Sequence, residues 1–198
     1  MILSGSAISR YIANGLISVA PEFDENQLRP FGLRVHLASE ILIPSARRIV
    51  DLAEAEDLQN DYHREDITVR GLMLSPGDFV LGSTVETVRV APSLCCRLDG
   101  RSTLARLGVM VHCTSDTIDN NHRAHRSIIL EIANIGPHSI TMPNHYAIGM
   151  LMFCLASDPA DPEYEQDQYA GQLGVVGPNL GFQPPAYSFL NGNGLDYD

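Results

Sequence analysis

The chain contains no tryptophan and no lysine, so each of its 13 basic residues is an arginine. Against 24 Asp and Glu these leave a formal charge of −11. Broad electrostatic binding to DNA, RNA or an anionic membrane is thereby excluded, because such surfaces repel the net charge; a local basic pocket for a small anion is not. No stretch approaches the roughly 20 apolar residues that a membrane helix needs. The start, Met1 to Gly15, mixes Arg10 with polar and apolar residues and lacks the basic-then-apolar layout of a secretory signal. The expected location is the cytoplasm, with neither nucleic acid nor membrane as partner. Cysteine is scarce as well: Cys95 and Cys96 are adjacent, Cys113 and Cys154 stand alone, and none has the two-residue spacing of a zinc or redox site. Reduced, mostly buried thiols are expected.

What is present is a chain of 198 residues, 44% hydrophobic, which suits one globular domain with a real core. Residues 4–15 read as a short helix, with Ser4 or Ser6 as cap, Ile8, Tyr11 and Ile12 on one face and Gly15 as terminator. The acidic run Leu52 to Leu58 is the other helix candidate, a solvated turn or insertion. Elsewhere short apolar runs, 78–90, 127–133 and 146–155, are divided by Ser75-Pro76-Gly77, Gly136-Pro137 and Pro143-Asn144. That punctuation predicts a mainly antiparallel all-β barrel, jelly roll or sandwich with one short N-terminal helix, and the lack of alternating long helices counts against a doubly wound α/β fold. From Asp158 the composition turns polar, then rich in Gly, Pro, Asn and Tyr, which reads as an arm or tail and not as core.

Three segments carry potential chemistry. Gly100 to Arg106 packs two arginines, two hydroxyls and a glycine into a chain short of positive charge. Guanidinium forks and hydroxyls beside a glycine turn suit phosphate oxygens; the same residues also fit a plain surface turn. Second, strand alternation puts Glu131 on the face of Ile129 and Ala133, so a carboxylate leaves an otherwise apolar surface. Desolvation raises such a carboxyl's pKa toward neutrality, as a proton-carrying group requires, unless the side chain lies at an edge facing water or an arginine. Third, His122-Arg123-Ala124-His125-Arg126 has two histidines three apart, but without a helix, an HExxH or a partnering ligand it reads as a solvated basic loop. The zinc-deaminase pattern H-x-E with P-C-x-x-C is absent as well.

Taken together these segments resemble the dCTP deaminase family of the dUTPase-like superfamily, from Met1 to about Val176. MILSGSAISRYIANGLISV and PEFDENQLRP look like the family's N-terminal helix and its PFDEEQLQP-type segment. LSPGDFVLGSTVETVRV is similar to its PGE-type turn and following strand, and DGRSTLARLGVMVHCT to its DGRSSLARLGLMVH signature. TIDNNHRAHRSIILEIANIG resembles the hairpin before the family's VLEF strand, and DQYAGQLGVVG its C-terminal Y..Q.G segment.

The resemblance implies a distorted β-barrel or jelly roll of the dUTPase-like (β-clip) type, a homotrimer with active sites between subunits, and hydrolytic deamination of dCTP to dUTP and ammonia without zinc. By the same resemblance Glu131 is the general base, while Ser102 and Arg106 orient water and cytosine, Arg106 from a neighbouring subunit. Arg101, Ser102 and Thr103 contact triphosphate, Thr114 and Ser115 line the base pocket, Asp119 meets the sugar 3′-hydroxyl, and Tyr164, Tyr169 and Gln172 belong to a closing segment. Mg²⁺ is carried on the substrate triphosphate, with no metal ligands from the protein. The domain is expected over 1–176, with 177–198 as a tail.

Several positions depart from the family pattern. The hairpin between Asp119 and Glu131 is longer by two residues and lacks the family's aromatic. Gln168 replaces a lysine, Ser115-Asp116 replace Ala-His, and Gly32-Leu33-Arg34-Val35 replace S-[VY]-D-L. They keep open a dUTPase-like or bifunctional pyrophosphohydrolase, a deaminase of another cytosine nucleotide, and a catalytically silent nucleotide-binding regulator.

Overall fold

A computed structural model describes residues 1–45, 48–52, 58–119, 121–161, 169 and 174–180. The first helix, α1 (Gly5–Ala13), is capped by Ser4, whose hydroxyl accepts the Ala7 N–H at 3.4 Å. Ile8 is fully buried, with Tyr11 and Ile12 packed at the margin of the core. The chain leaves the helix through Gly15 at φ +71°, a left-handed conformation that glycine adopts without strain. Of the second helix candidate, residues 53–57 lie outside the described residues.

The strands are β1 (Ile17–Ala20), β2 (Leu28–Arg29), β3 (Gly32–His36), β4 (Glu40–Pro44), β5 (Tyr62–Asp66), β6 (Leu72–Leu74) and β7 (Phe79–Val90). They continue as β8 (Leu94–Gly100), β9 (Val109–Met110), β10 (Thr117–Ile118), β11 (Arg126–Asn134), β12 (Ile140–Met142) and β13 (Ala147–Leu155), with a short helix α2 (Ser102–Arg106) after β8. One sheet runs β5-β4-β7-β11-β9 with β1 also on β7, a second runs β10-β8-β13-β3-β2, and β6 pairs with β12. The pairings are antiparallel, as the turn punctuation predicts. The inward residues of both large sheets, among them Leu33, Val35, Leu98, Leu130, Ile132, Leu151 and Phe153, belong to one core.

The predicted tract 78–90 contains β7, the long central strand, whose register against β11 shifts between Ser127 and Ile129. There Thr84 closes the irregularity: its hydroxyl donates to Glu86 O at 2.6 Å and accepts the Ile128 N–H at 3.0 Å. Glu86, only 4% exposed, turns inward. Its carboxylate accepts from Gln27 Nε2 at 2.8 Å and the His36 N–H at 2.9 Å, and it pairs with His36 Nδ1 at 2.6 Å. A buried charge is tolerable only when its oxygens are satisfied in this way.

Two expectations need correction. The thiols are free but not mostly buried: only Cys96 is, while Cys95 and Cys154 are half-buried and Cys113 is exposed. Strand β8 alternates inward and outward, so adjacent Cys95 and Cys96 face opposite sides; burial pushes the Cys96 thiol up to about 12. The basic loop is also less solvated than its composition suggests. His125 is half-buried, with Nε2 2.9 Å from Ser18 Oγ and Nδ1 3.2 Å from Thr87 Oγ1, a bridge between β1 and β7.

Candidate active site

Strand β11 buries Ile128, Leu130, Ile132 and Asn134, leaving Ile129, Glu131 and Ala133 on its other face. This is the alternation expected from the sequence. Directly across on β7, Leu81 faces Glu131 and Phe79 faces Ala133, so the apolar surface continues onto the neighbouring strand. β5 adds Tyr62, and the chain returns from far downstream to supply Tyr169, Val176, Gly177 and Pro178. Together these residues enclose a cavity of about 340 Å³ with the Glu131 carboxylate in its wall. Val175 anchors the returning segment: it is 1% exposed and wedged against Leu42 and Leu81. Part of the arm read as lying outside the core is thus buried.

The electrostatics of Glu131 follow from this enclosure. Loss of water raises its carboxyl above the ordinary value. Opposing that are hydrogen bonds from backbone N–H groups, Cys113's at 3.3 Å from Oε2 among them, and the nearby His112. Tyr62 is raised as well, first by burial and then by Asp61 and Tyr169. A carboxylate in an apolar and aromatic niche is suited to take a proton from a bound water and return it.

The second element with chemistry is α2. The segment expected as a glycine turn is a single helical turn, pinned by Leu104, which is 2% exposed. Its exit is set by two glycines: a Cβ on Gly108, at φ +82°, would lie 2.4 Å from Gly136 Cα, and one on Gly136 2.0 Å from Leu107 O. Only a Gly–Gly contact lets the end of α2 meet the turn after β11 so closely. Ser102, Thr103 and Arg106 project into solvent. Arg101 turns back instead, donating from Nη1 to Ala147 O at 2.8 Å, with its guanidinium 5.2 Å from the centre of the Tyr146 ring. No hydrogen bond or ion pair among the described residues joins Ser102, Thr103 or Arg106 to Glu131.

A dCTP deaminase-like family model matches residues 2–155. The chain belongs to the dCTP deaminase-like family. It is 32% identical over 182 residues to the dCTP deaminase of Haloarcula marismortui, covering 90% of this chain and 92% of that one. A dCTP deaminase described as dUMP-forming, from Halobacterium salinarum, is 32% identical over 172 residues, covering 85% of this chain and 87% of its own. The crystal structure of 2′-deoxycytidine 5′-triphosphate deaminase from Agrobacterium tumefaciens superposes with a TM-score of 0.61 at 18% identity. That match covers 78% of this chain and 48% of the longer chain, and it shows a shared fold.

Within this dCTP deaminase-like frame, the remaining predicted residues fall as follows. Thr114, Ser115 and Asp119 are exposed, on the chain that runs from β9 through β10 toward β11. Asp116, the acid beside Ser115, is bound to Arg97, whose Nε lies 3.0 Å from Oδ2, and its carboxyl is held below the usual range by that contact. Tyr164, Gln168 and Gln172 lie outside the described residues, whereas Tyr169 is in the cavity wall. Sequence reasoning missed Tyr62, Phe79, Leu81, Cys113 and 176–178. Phe79 and Leu81 carried a usable signal, since they alternate on β7 as Ile129 and Glu131 do on β11.

Proposed function

We propose that the protein removes the 4-amino group of a cytosine nucleotide by hydrolysis, with dCTP as substrate and dUTP and ammonia as products. The observation that carries this reading is the Glu131 carboxylate, raised by burial, in the wall of a cavity whose other sides are apolar and aromatic. Water adds to C4 as Glu131 takes its proton, and the proton is returned to the departing amine, so that one water is consumed for each ammonia released. Donors are needed where charge develops in the tetrahedral intermediate. Ser102 and Arg106 have the chemistry for that role, and Arg101, Ser102 and Thr103 for holding phosphate.

In this reading α2 completes the site of a neighbouring copy in a homotrimer, which accounts for functional groups that face solvent in one chain. Thr114 and Ser115 border the base and Asp119 the sugar, while Tyr164, Tyr169 and Gln172 belong to the segment that closes over the nucleotide. The working unit is 1–176, with 177–198 as its tail; Gly177 and Pro178 extend the cavity wall begun by Val176. In this reading Mg²⁺ enters as part of the substrate, on the triphosphate.

A second reading is favoured by relatives described as dUMP-forming, at identity comparable to that of the others. Here a pyrophosphohydrolase step follows deamination and the products are dUMP, ammonia and pyrophosphate. Incubation with dCTP, CTP, dUTP and dCMP plus Mg²⁺, following ammonia, pyrophosphate and nucleotides together, separates the two. Ammonia from dCTP with dUTP accumulating is the expected result. Ammonia together with pyrophosphate supports the second reading. No ammonia from any cytosine nucleotide overturns both.

A further inference from the structure

The C-terminal wall of the Glu131 cavity is held at its backbone by two arginines that do not line the cavity. Arg126, the first residue of β11, donates from Nη1 to the Tyr169 carbonyl at 3.1 Å. Arg64, on β5, donates from Nη2 to the Val175 carbonyl at 3.3 Å while its Nη1 lies 2.7 Å from Glu40 Oε2. The wall is also tied to itself, since the Asn179 N–H, beyond both anchors in sequence, donates to Tyr169 Oη at 3.3 Å. The two arginines are not equivalent. Arg126 is half-buried, whereas the Arg64 side chain is 50% exposed and its contacts are screened by solvent.

A guanidinium bound to a carbonyl makes a charge-assisted hydrogen bond, stronger than a neutral one and stronger still where water is partly excluded. Arg126 and Glu131 share one strand, so a hold on Tyr169 from Arg126 refers the wall directly to the strand that carries the carboxylate. A wall fixed before the nucleotide arrives spares binding the entropic cost of ordering it.

We propose that Arg126 is a positioning residue: it sets Tyr169 against the cavity by holding its backbone, with Arg64 as a weaker second anchor. The proposal rests on the Glu131 cavity being the nucleotide site. Because Arg126 acts through Tyr169 and touches no reacting atom, its loss falls on nucleotide affinity and leaves the chemical step unchanged.

The test compares full-length wild type with Arg126→Ala, Arg126→Lys and Arg64→Ala in steady-state dCTP deamination, and separately measures the rate of chymotrypsin cleavage after Tyr169. Arg126→Ala is expected to raise KM about tenfold with kcat within about twofold, from release of the Tyr169 carbonyl. Arg126→Lys restores most of that, and Arg64→Ala shifts KM by less. Cleavage after Tyr169 is faster in Arg126→Ala and is slowed again by saturating dCTP. An unchanged KM, a loss confined to kcat, or unchanged cleavage overturns the proposal. Should Arg126→Ala fail to fold, Arg126→Gln supplies the same comparison. If wild type releases no ammonia, the proposed function fails alone; dCTP affinity and the cleavage rates of the variants still decide the role of Arg126.

Discussion

The Glu131 cavity and the surface of α2 differ in how completely one chain encloses them. Around Glu131 three strands and a returning C-terminal segment leave the carboxylate half-buried and partly desolvated. On α2 one buried leucine anchors a turn whose hydroxyls and Arg106 face outward. In the proposed mechanism the proton-handling group is thus placed by its own chain, whereas the groups proposed to stabilise charge face solvent and are offered to a neighbouring copy. Desolvation fits the division: a carboxylate must lose water for its pKa to rise, whereas a guanidinium keeps its fixed fork of donors without early burial.

The sharpest way to break this contrast is to separate the two regions genetically. Arg106→Ala is expected to lower kcat/KM by about 10²–10³-fold, the scale of losing a donor to developing charge. Its melting temperature stays close to wild type, because the side chain is exposed. If α2 serves a neighbour, co-assembly of Arg106→Ala with Glu131→Gln restores part of the activity, since some interfaces then pair two intact halves. Mixed oligomers as inactive as their parents would place both halves in one chain.

A second effect, of intermediate size, concerns pH. The proposed mechanism needs Glu131 deprotonated, so the rate is expected to fall as pH drops through its pKa; burial raises that pKa, and the acid limb of kcat/KM is expected above the ordinary carboxylate range. Phe79→Ala opens the cavity to water and moves the limb downward. A limb at the same pH in both proteins would mean that desolvation by this wall is not the cause.

The smallest effect is on stability. A carboxyl whose folded pKa exceeds its unfolded one binds more protons when folded, so stability falls as pH rises from the ordinary carboxylate value through the raised one. Glu131→Gln is therefore expected to melt no lower than wild type at neutral pH, with any advantage vanishing below the ordinary carboxylate range. Thermal melts across pH check this. A clear loss of stability at neutral pH would identify Glu131 as a structural anchor.

How legible each region was in the sequence follows from the range of its determinants. Helix α1 and strands β7, β11 and β13 were readable because caps, turn residues and alternation are local, and the facing of Glu131 needed only its two neighbours of like parity. The five-residue turn STLAR of α2 is too short to show helical periodicity, and the contact of Gly108 with Gly136, in the turn after β11, that shapes its exit is invisible in one dimension. Glu86 was missed for a similar reason: Gln27 and His36, which satisfy it, lie 59 and 50 positions away. The returning wall is read least easily, since Arg126 and Arg64 hold carbonyls, which every residue possesses.

The most direct test of the central claim is ammonia release from dCTP by wild type and Glu131→Gln, measured at nucleotide concentrations that give equal occupancy by an independent binding assay. The account predicts that the variant binds dCTP within a few-fold of wild type while ammonia release falls by at least about 10²-fold, the contribution of a positioned general base. Release by Glu131→Gln at close to the wild-type rate would contradict it.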